Sequence, residues 1–323
     1  MTPFEYSAPS TLKEAGALLS DKWGETEILA GGTDLLTSLK QGITSPKRVV
    51  SLKNIQELKG ISEEKGTLRI GAMTTLGELV ENAAVKKNFP SLITAAEGIG
   101  SPQLLSVGTV GGDLCQRPRC WYFRNGFGLL AEKDGKSLVR DGDNRYHAIF
   151  DTDKPALFVS ASSLGPALVA LGASITVADS KGKTKKLEAA KFFEAPKNES
   201  DRETALEANQ IVTEVLIPIK GLKNATYEVR HRHGLDWPYV TASVAFGGKS
   251  GDTRVVLGHV AAIPWLTRDA STALADSDSI DEAAATKVGK AAVRGAKPLS
   301  RNQYKVQLAQ TAVKRAILAA AKA

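Results

Sequence analysis

Residues 106–124 read Ser-Val-Gly-Thr-Val-Gly-Gly-Asp-Leu-Cys-Gln-Arg-Pro-Arg-Cys-Trp-Tyr-Phe-Arg, and this stretch constrains the fold more than any other. Gly108, Gly111 and Gly112 leave main-chain amides with little side-chain bulk over them, so an anion can approach closely. A lone Gly-Gly is more often only a turn, but a second element carries the same signal. Residues 27–36 run from a short apolar strand into Gly31 and Gly32, then Thr33 and Asp34, then Leu35, Leu36 and, one turn on, Leu39 at helical spacing. Strand, glycine turn and helix start make a phosphate-site layout. Just downstream of the first stretch, Arg117, Arg119 and Arg124 stand among Trp121, Tyr122 and Phe123. That composition is enriched at interface hot spots, so residues 119–124 are expected to form a docking surface. The alternative is that Trp121 and Phe123 are core and the arginines flank it.

Ala-Gly-Gly-Thr-Asp at 30–34, together with Gly-Thr-Val-Gly-Gly-Asp-Leu at 108–114, resembles the paired pyrophosphate loops of the FAD-binding subunit of the molybdenum hydroxylases. That family includes the medium subunits of carbon monoxide dehydrogenase and aldehyde oxidoreductases and the flavin domain of xanthine dehydrogenase. The resemblance spans essentially the whole chain. It implies FAD, with Ala30, Gly31, Gly32, Thr33, Asp34, Leu35, Thr109, Gly111, Gly112 and Asp113 as the binding residues. Thr33 and Thr109 can donate hydroxyl hydrogen bonds to phosphate oxygens, while Asp34 and Asp113 are expected to cap the turns that follow them, Asp113 facing ribose hydroxyls if it meets the ligand at all.

The implied fold is α+β. A two-part FAD-binding domain of the vanillyl-alcohol oxidase-like (PCMH) type would occupy 1–220, its parts at about 1–58 and 59–220. A C-terminal α+β domain like that of the CO dehydrogenase flavoprotein, a three-stranded antiparallel sheet backed by helices, would occupy 221–323. The implied function is electron transfer within a molybdopterin-dependent hydroxylase or aldehyde dehydrogenase. Its partners would be a molybdopterin-containing large subunit and a [2Fe–2S] small subunit that passes electrons through this flavin to an external acceptor. A stand-alone flavin oxidase of similar fold and a docking scaffold that has lost its flavin are the alternatives.

Arg-Cys-Trp-Tyr-Phe-Arg at 119–124 and Asp-Asn-Arg-Tyr-His-Ala-Ile-Phe at 143–150 resemble the branch that contains the periplasmic aldehyde oxidoreductase flavoprotein and 4-hydroxybenzoyl-CoA reductase. That branch carries a [4Fe–4S] cluster in an insertion at this place. Here the only cysteines are Cys115 and Cys120, of which Cys120 alone matches a ligand, and Leu129, Leu130, Ser137 and Leu138 stand where others are expected. Two thiols cannot ligate a cubane, so the cluster is expected to be absent; a reducing cytoplasm would keep both as thiols rather than a disulfide. Three further departures concern the flavin site. Asp113 replaces the family's Asn, Ser162-Ser163-Leu164 replaces Ser-Asp-Leu, and Glu228 stands where a Lys lies near the isoalloxazine. The last change removes a cation that would stabilise reduced flavin.

Other chemistries find little support. The net charge of +7 comes from dispersed residues, and the densest run, 181–186, contains Gly182 in a hairpin turn, which reads as solvated rather than as a nucleic-acid patch. No Gly-x-Gly-x-x-Gly follows a strand and no Walker lysine occurs, which excludes Rossmann and P-loop sites. Of His147, His231, His233 and His259, only the 231/233 pair is close, and it reads as a surface or hydrogen-bonded pair rather than a metal site. Neither a basic-then-apolar leader nor a run of ~20 apolar residues is present, so a cytoplasmic location is expected, although export on a partner's signal would leave no trace.

The periodicity predicts helices over 75–84, 88–98 and 303–320, the last with a stripe of Val306, Ala309, Val313, Ala316, Ile317 and Ala320. Strands are expected at 211–217, 226–230, 239–246 and 254–261, an apolar strand or buried helix over 167–177, and a surface loop over 125–145.

Overall fold

The computed structural model describes residues 1–232, 236–249 and 251–322. Two capping boxes start the helices nearest the first two sheets. Thr11 accepts from Glu14 N while the Glu14 carboxylate accepts from Thr11 N, opening the helix Leu12–Ala17, and Thr75 and Glu78 repeat the device at Leu76–Glu81. Strands β1 (Glu5–Ser7), β2 (Thr26–Leu29) and β3 (Arg48–Ser51) form a parallel sheet in the order β1-β3-β2. Val50 of β3 packs with Ala15, Leu52, Ile55 and Leu58 beneath it.

Strands β4 (Ile61–Glu64) and β5 (Thr67–Gly71) open a second sheet, and the glycine-rich segment follows as the helices Pro102–Val107 and Val110–Cys115. A small hairpin, β6 (Glu132–Lys133) and β7 (Lys136–Ser137), precedes β8 (Ser174–Ala178), β9 (Thr184–Glu188) and β10 (Ile211–Pro218). The five-stranded antiparallel order β4-β5-β10-β8-β9 places β10 centrally, its Val215 and Ile217 opposite Ile70 and Leu68. Helices Pro90–Glu97 and Gly165–Ala170 cover this sheet through Leu92, Leu164 and Leu168.

Strands β11 (Lys223–Val229), β12 (Val240–Phe246), β13 (Arg254–Gly258) and β14 (Trp265–Leu266) make the last sheet. It has four antiparallel strands where the sequence suggested three. The additional β14 pairs only Leu266 and Trp265 with Val256 and Leu257, too short a run to show alternation. Every residue of β12 is buried, because Tyr304–Lys322 covers one face and Gly165–Ala170 the other. The helix Tyr304–Lys322 buries Ala309, Ala312, Val313, Ala316, Ile317 and Ala320.

Three expectations are corrected. The helix over 75–84 breaks at Asn82, whose side chain accepts from Ala84 N and Val85 N and starts a second helix, Ala83–Asn88. The run 167–177 contains both a helix and β8, divided by Gly172 at φ +67°. Residues 125–145 are not a loose surface loop. Leu129, Leu130, Ala131 and Val139 are buried, and the Glu199 carboxylate accepts from Leu129 N and Leu130 N at 2.5 and 2.7 Å. Among the described residues no helix is long and apolar enough to cross a membrane.

Candidate functional site

The two glycine loops touch. A Cβ added to Gly31 would lie 1.8 Å from Val107 O and 3.1 Å from Gly108 Cα, so only glycine lets the turn after β2 rest against the second loop. Gly32 follows at φ +79°. Among the described residues, the amides of residues 32–35 donate to no protein acceptor, which leaves a row of N–H groups for an anion. The second loop differs from expectation. Its Val110, Gly111 and Asp113 amides donate to Thr74 O, Ala72 O and Thr109 O, and Gly112 N donates to Thr109 Oγ1 at 3.1 Å. It therefore contributes a wall that a ligand can approach closely, and the open donors lie on the first loop.

A two-lobed cleft lies over these loops, and Thr33, Thr109, Gly112 and Gln116 line both lobes. The first lobe is completed by Ala30, Gly31, Gly32, Asp34, Leu35 and Gly111, together with Trp23, Glu27, Arg117 and Arg202. Arg202 stacks over the Trp23 ring at 4.7 Å, and burial pushes the Glu27 carboxyl above its usual range. The second lobe runs toward the last sheet and is lined by Leu104, Asp113, Arg119, Ser163, Arg230 and Trp237. All ten residues singled out in the sequence thus border one cleft. The Trp23–Arg202 pair was not foreseen, because its two members are distant in the chain, and neither was Arg230, which reaches the cleft from the last sheet.

Asp34 does not cap the helix Leu35–Lys40. Its carboxylate accepts from Arg117 N at 2.7 Å and Arg124 Nη2 at 2.8 Å, and Arg119 Nη2 lies 3.2 Å away. Arg124 also donates to Ser38 Oγ and Pro118 O, Arg117 pairs with Glu203 at 3.0 Å, and Phe123 is buried. Arg119, Phe123 and Arg124 are consequently turned inward as a brace between the loops rather than displayed as the expected docking surface, while Trp121 and Tyr122 stay half-buried. The core alternative describes Phe123.

Residues 2–220 match the family described as the FAD binding domain in molybdopterin dehydrogenase, and residues 225–320 match the CO dehydrogenase flavoprotein C-terminal domain. The chain belongs to this family of FAD-binding oxidoreductase subunits. It is 28% identical over 317 residues to the aldehyde oxidoreductase FAD-binding subunit PaoB of Escherichia coli, covering 96% of each chain. It is 29% identical to the nicotinate dehydrogenase FAD-subunit of Eubacterium barkeri, over 73% of this chain and 66% of that one. Among solved structures, carbon monoxide dehydrogenase from Hydrogenophaga pseudoflava superposes with a TM-score of 0.76 at 26% identity, covering 100% of this chain and 99% of that one. Quinoline 2-oxidoreductase from Pseudomonas putida 86 gives 0.75 at 26%, covering 100% and 98%.

The cleft of this FAD-binding subunit fits the cofactor by its own chemistry. Open amides and unshielded glycine backbone suit a pyrophosphate, and the lobes on either side give room for two planar ends. Bound FAD supplies one- and two-electron redox chemistry, and the protein holds and tunes it.

Asp113 does not cap its helix, and at the edge of the second lobe its carboxylate is taken up by protein donors. It is buried and accepts from Ser162 Oγ at 2.6 Å, Leu164 N at 3.0 Å, Ser163 N at 3.1 Å and Gln116 Nε2 at 2.9 Å. Burial raises its pKa, and the donors from 162–164 oppose the rise. Asp113 thus meets the segment 162–164 through the Ser162 hydroxyl and the main-chain amides of 163 and 164, so the contact at 163 is made by its backbone rather than its side chain. A carboxylate accepts with both oxygens, whereas an amide would turn a donor toward one of these N–H or O–H groups.

Glu228 likewise has a counterpart. Its carboxylate pairs with Arg230, two residues on along the same face, and Arg230 Nη1 donates to Asp236 O at 2.7 Å. A guanidinium thus stands two residues beyond the position where the resemblance implies a lysine.

The remaining titratable groups tie residues 144–150 to the last domain. Lys305 is buried and donates to Tyr146 O, His147 O and His259 O, and burial lowers its pKa to about 7. His147 Nε2 lies 3.2 Å from Cys120 Sγ, and His259 Nδ1 lies 3.1 Å from Thr241 Oγ1. Burial lowers these histidines to about 4 and about 3. His231 is exposed and His233 lies outside the described residues, so the expected pair is not visible as a unit. Cys115 and Cys120 are both free thiols.

Proposed function

We propose that this chain is the FAD-binding, electron-relaying subunit of a molybdopterin-dependent hydroxylase or aldehyde dehydrogenase. Its partners are a molybdopterin-containing large subunit, where substrate is oxidised, and a [2Fe–2S] small subunit that delivers electrons to this flavin for an external acceptor. The contact of the two glycine loops within one cleft carries the reading, and full-length similarity to an aldehyde oxidoreductase FAD-binding subunit supports it. The amides of 32–35 and the hydroxyls of Thr33 and Thr109 hold the pyrophosphate. The first lobe takes the adenosine end and the second the isoalloxazine. FAD is the only redox group the chain holds itself. Where further thiolates would be needed, Leu129 and Leu130 are core and Ser137 caps the helix Leu138–Asp141. Two unpaired thiols suit a reducing, cytoplasmic setting.

Gly31 and Gly32 test the site better than Gly111, whose added Cβ would strike Ala72 Cβ at 2.9 Å and disturb the end of β5. Gly31→Ala forces the loops apart and Gly32→Val strains a turn at φ +79°. Each variant should weaken FAD binding about tenfold or more, a loss of about 1.4 kcal/mol, seen as a lower flavin-to-protein absorbance ratio with unchanged far-UV circular dichroism. Full flavin content in both would refute the loop assignment.

A further inference from the structure

We propose that Arg230 is the flavin-facing cation of this subunit, and that Glu228 is a positioning residue setting how much of that charge the flavin feels; this rests on the FAD reading of the cleft. Arg230 lines the second lobe together with Thr33, Thr109 and Gly112 of the glycine loops. Arg119 lines it too, but its guanidinium is laid over the Trp237 ring at 5.1 Å and beside Asp34, which it shares with Arg124.

Arg230 is held in a fixed pose. Its Nε donates to Glu228 Oε2 at 3.0 Å and its Nη1 to Asp236 O at 2.7 Å. The two side chains are 6% and 7% exposed, so salt screens the pair little. Gly98, at the end of the helix Pro90–Glu97, makes room for it. A Cβ there would lie 2.2 Å from Glu228 Oε2 and 2.7 Å from Arg230 Nη2. The structure therefore keeps a salt bridge, at the cost of a glycine, on the wall of the lobe that faces the loops.

The charge logic gives opposite signs for the two residues. Uptake of two electrons and one proton leaves one negative charge on the flavin ring, and a fixed cation nearby stabilises that form more than the oxidised one. Removing Arg230 deletes the cation, so the potential falls. Removing the Glu228 charge leaves the guanidinium uncompensated, so the potential rises.

The test is an anaerobic dithionite titration of the full-length flavoprotein against a reference dye, read by flavin absorbance. Arg230→Gln should bind reduced relative to oxidised flavin about tenfold more weakly, a fall of about 30 mV for a two-electron couple. Glu228→Gln should shift it upward, and Arg230→Lys, which keeps the charge, should stay nearer wild type than Arg230→Gln. A structural ion pair would move melting temperature or flavin retention in both variants alike. Unchanged potentials, or shifts of the same sign in the Gln variants, would overturn the inference. Should Arg230→Gln release its flavin, Glu228→Gln decides alone: a rise supports the inference and its absence overturns it. A wild-type chain that holds no flavin would instead refute the reading of the cleft.

Discussion

Replacing Asp113 by Ala removes the acceptor shared by Ser162 Oγ, Ser163 N, Leu164 N and Gln116 Nε2. Buried donors left without a partner carry their full desolvation cost, so urea denaturation should show a loss of about 2–4 kcal/mol. Asp113→Asn should lose less, because one oxygen remains. A change in midpoint too small to resolve in Asp113→Ala would mean that the second loop is held by other contacts. The sequence marked both Asp34 and Asp113 as site residues and misassigned what they do. Capping is a local device with a signature three residues long, whereas, Gln116 apart, the partners of these carboxylates lie 49–51 and 83–90 residues away. Gly31 and Gly32 were legible because strand, glycine turn and helix start form one continuous pattern. The buried cation at 230 was foreseeable only as a residue on the same strand face as Glu228.

Among elements, the segment 144–150 depends most on buried polar groups. Lys305 from the last helix donates to Tyr146 O and His147 O, and Asn302 Nδ2 donates to His147 O and Ala148 O. The folded protein keeps His147 neutral down to about pH 4, while an unfolded histidine takes its proton near 6.5. The stability this contributes is complete above pH 6.5 and is lost as the pH falls toward 4, and His259 extends the loss toward 3. For His147 alone that amounts to roughly 3 kcal/mol. Lys305 acts in the same direction at higher pH, its charging cost being relieved as the pH rises from about 7 toward 10.5. Melting temperatures should therefore climb from pH 4 to 6.5, and His147→Gln should flatten that climb; an equal slope in the variant would contradict the burial argument. None of this was legible beforehand, since a lysine inside the apolar stripe of a helix reads as a solvated neighbour. Long, strongly periodic elements such as Tyr304–Lys322 and β10 were legible, while β14 and the folded excursion over 125–145 depend on tertiary partners such as Glu199.

At the scale of the whole molecule, three sheets bring one cleft together: the first supplies the open amides, the second carries the other glycine loop, and the last supplies Arg230 and Trp237. On the proposed reading FAD is the chain's redox centre, since two cysteines cannot by themselves ligate a cubane. The most direct measurement is mass spectrometry and metal analysis of what full-length protein releases on denaturation. The account predicts FAD at close to one equivalent per chain, with no stoichiometric iron or acid-labile sulfide. Release of no flavin, or of FMN, which would leave the Trp23–Arg202 lobe without its adenosine end, would contradict it.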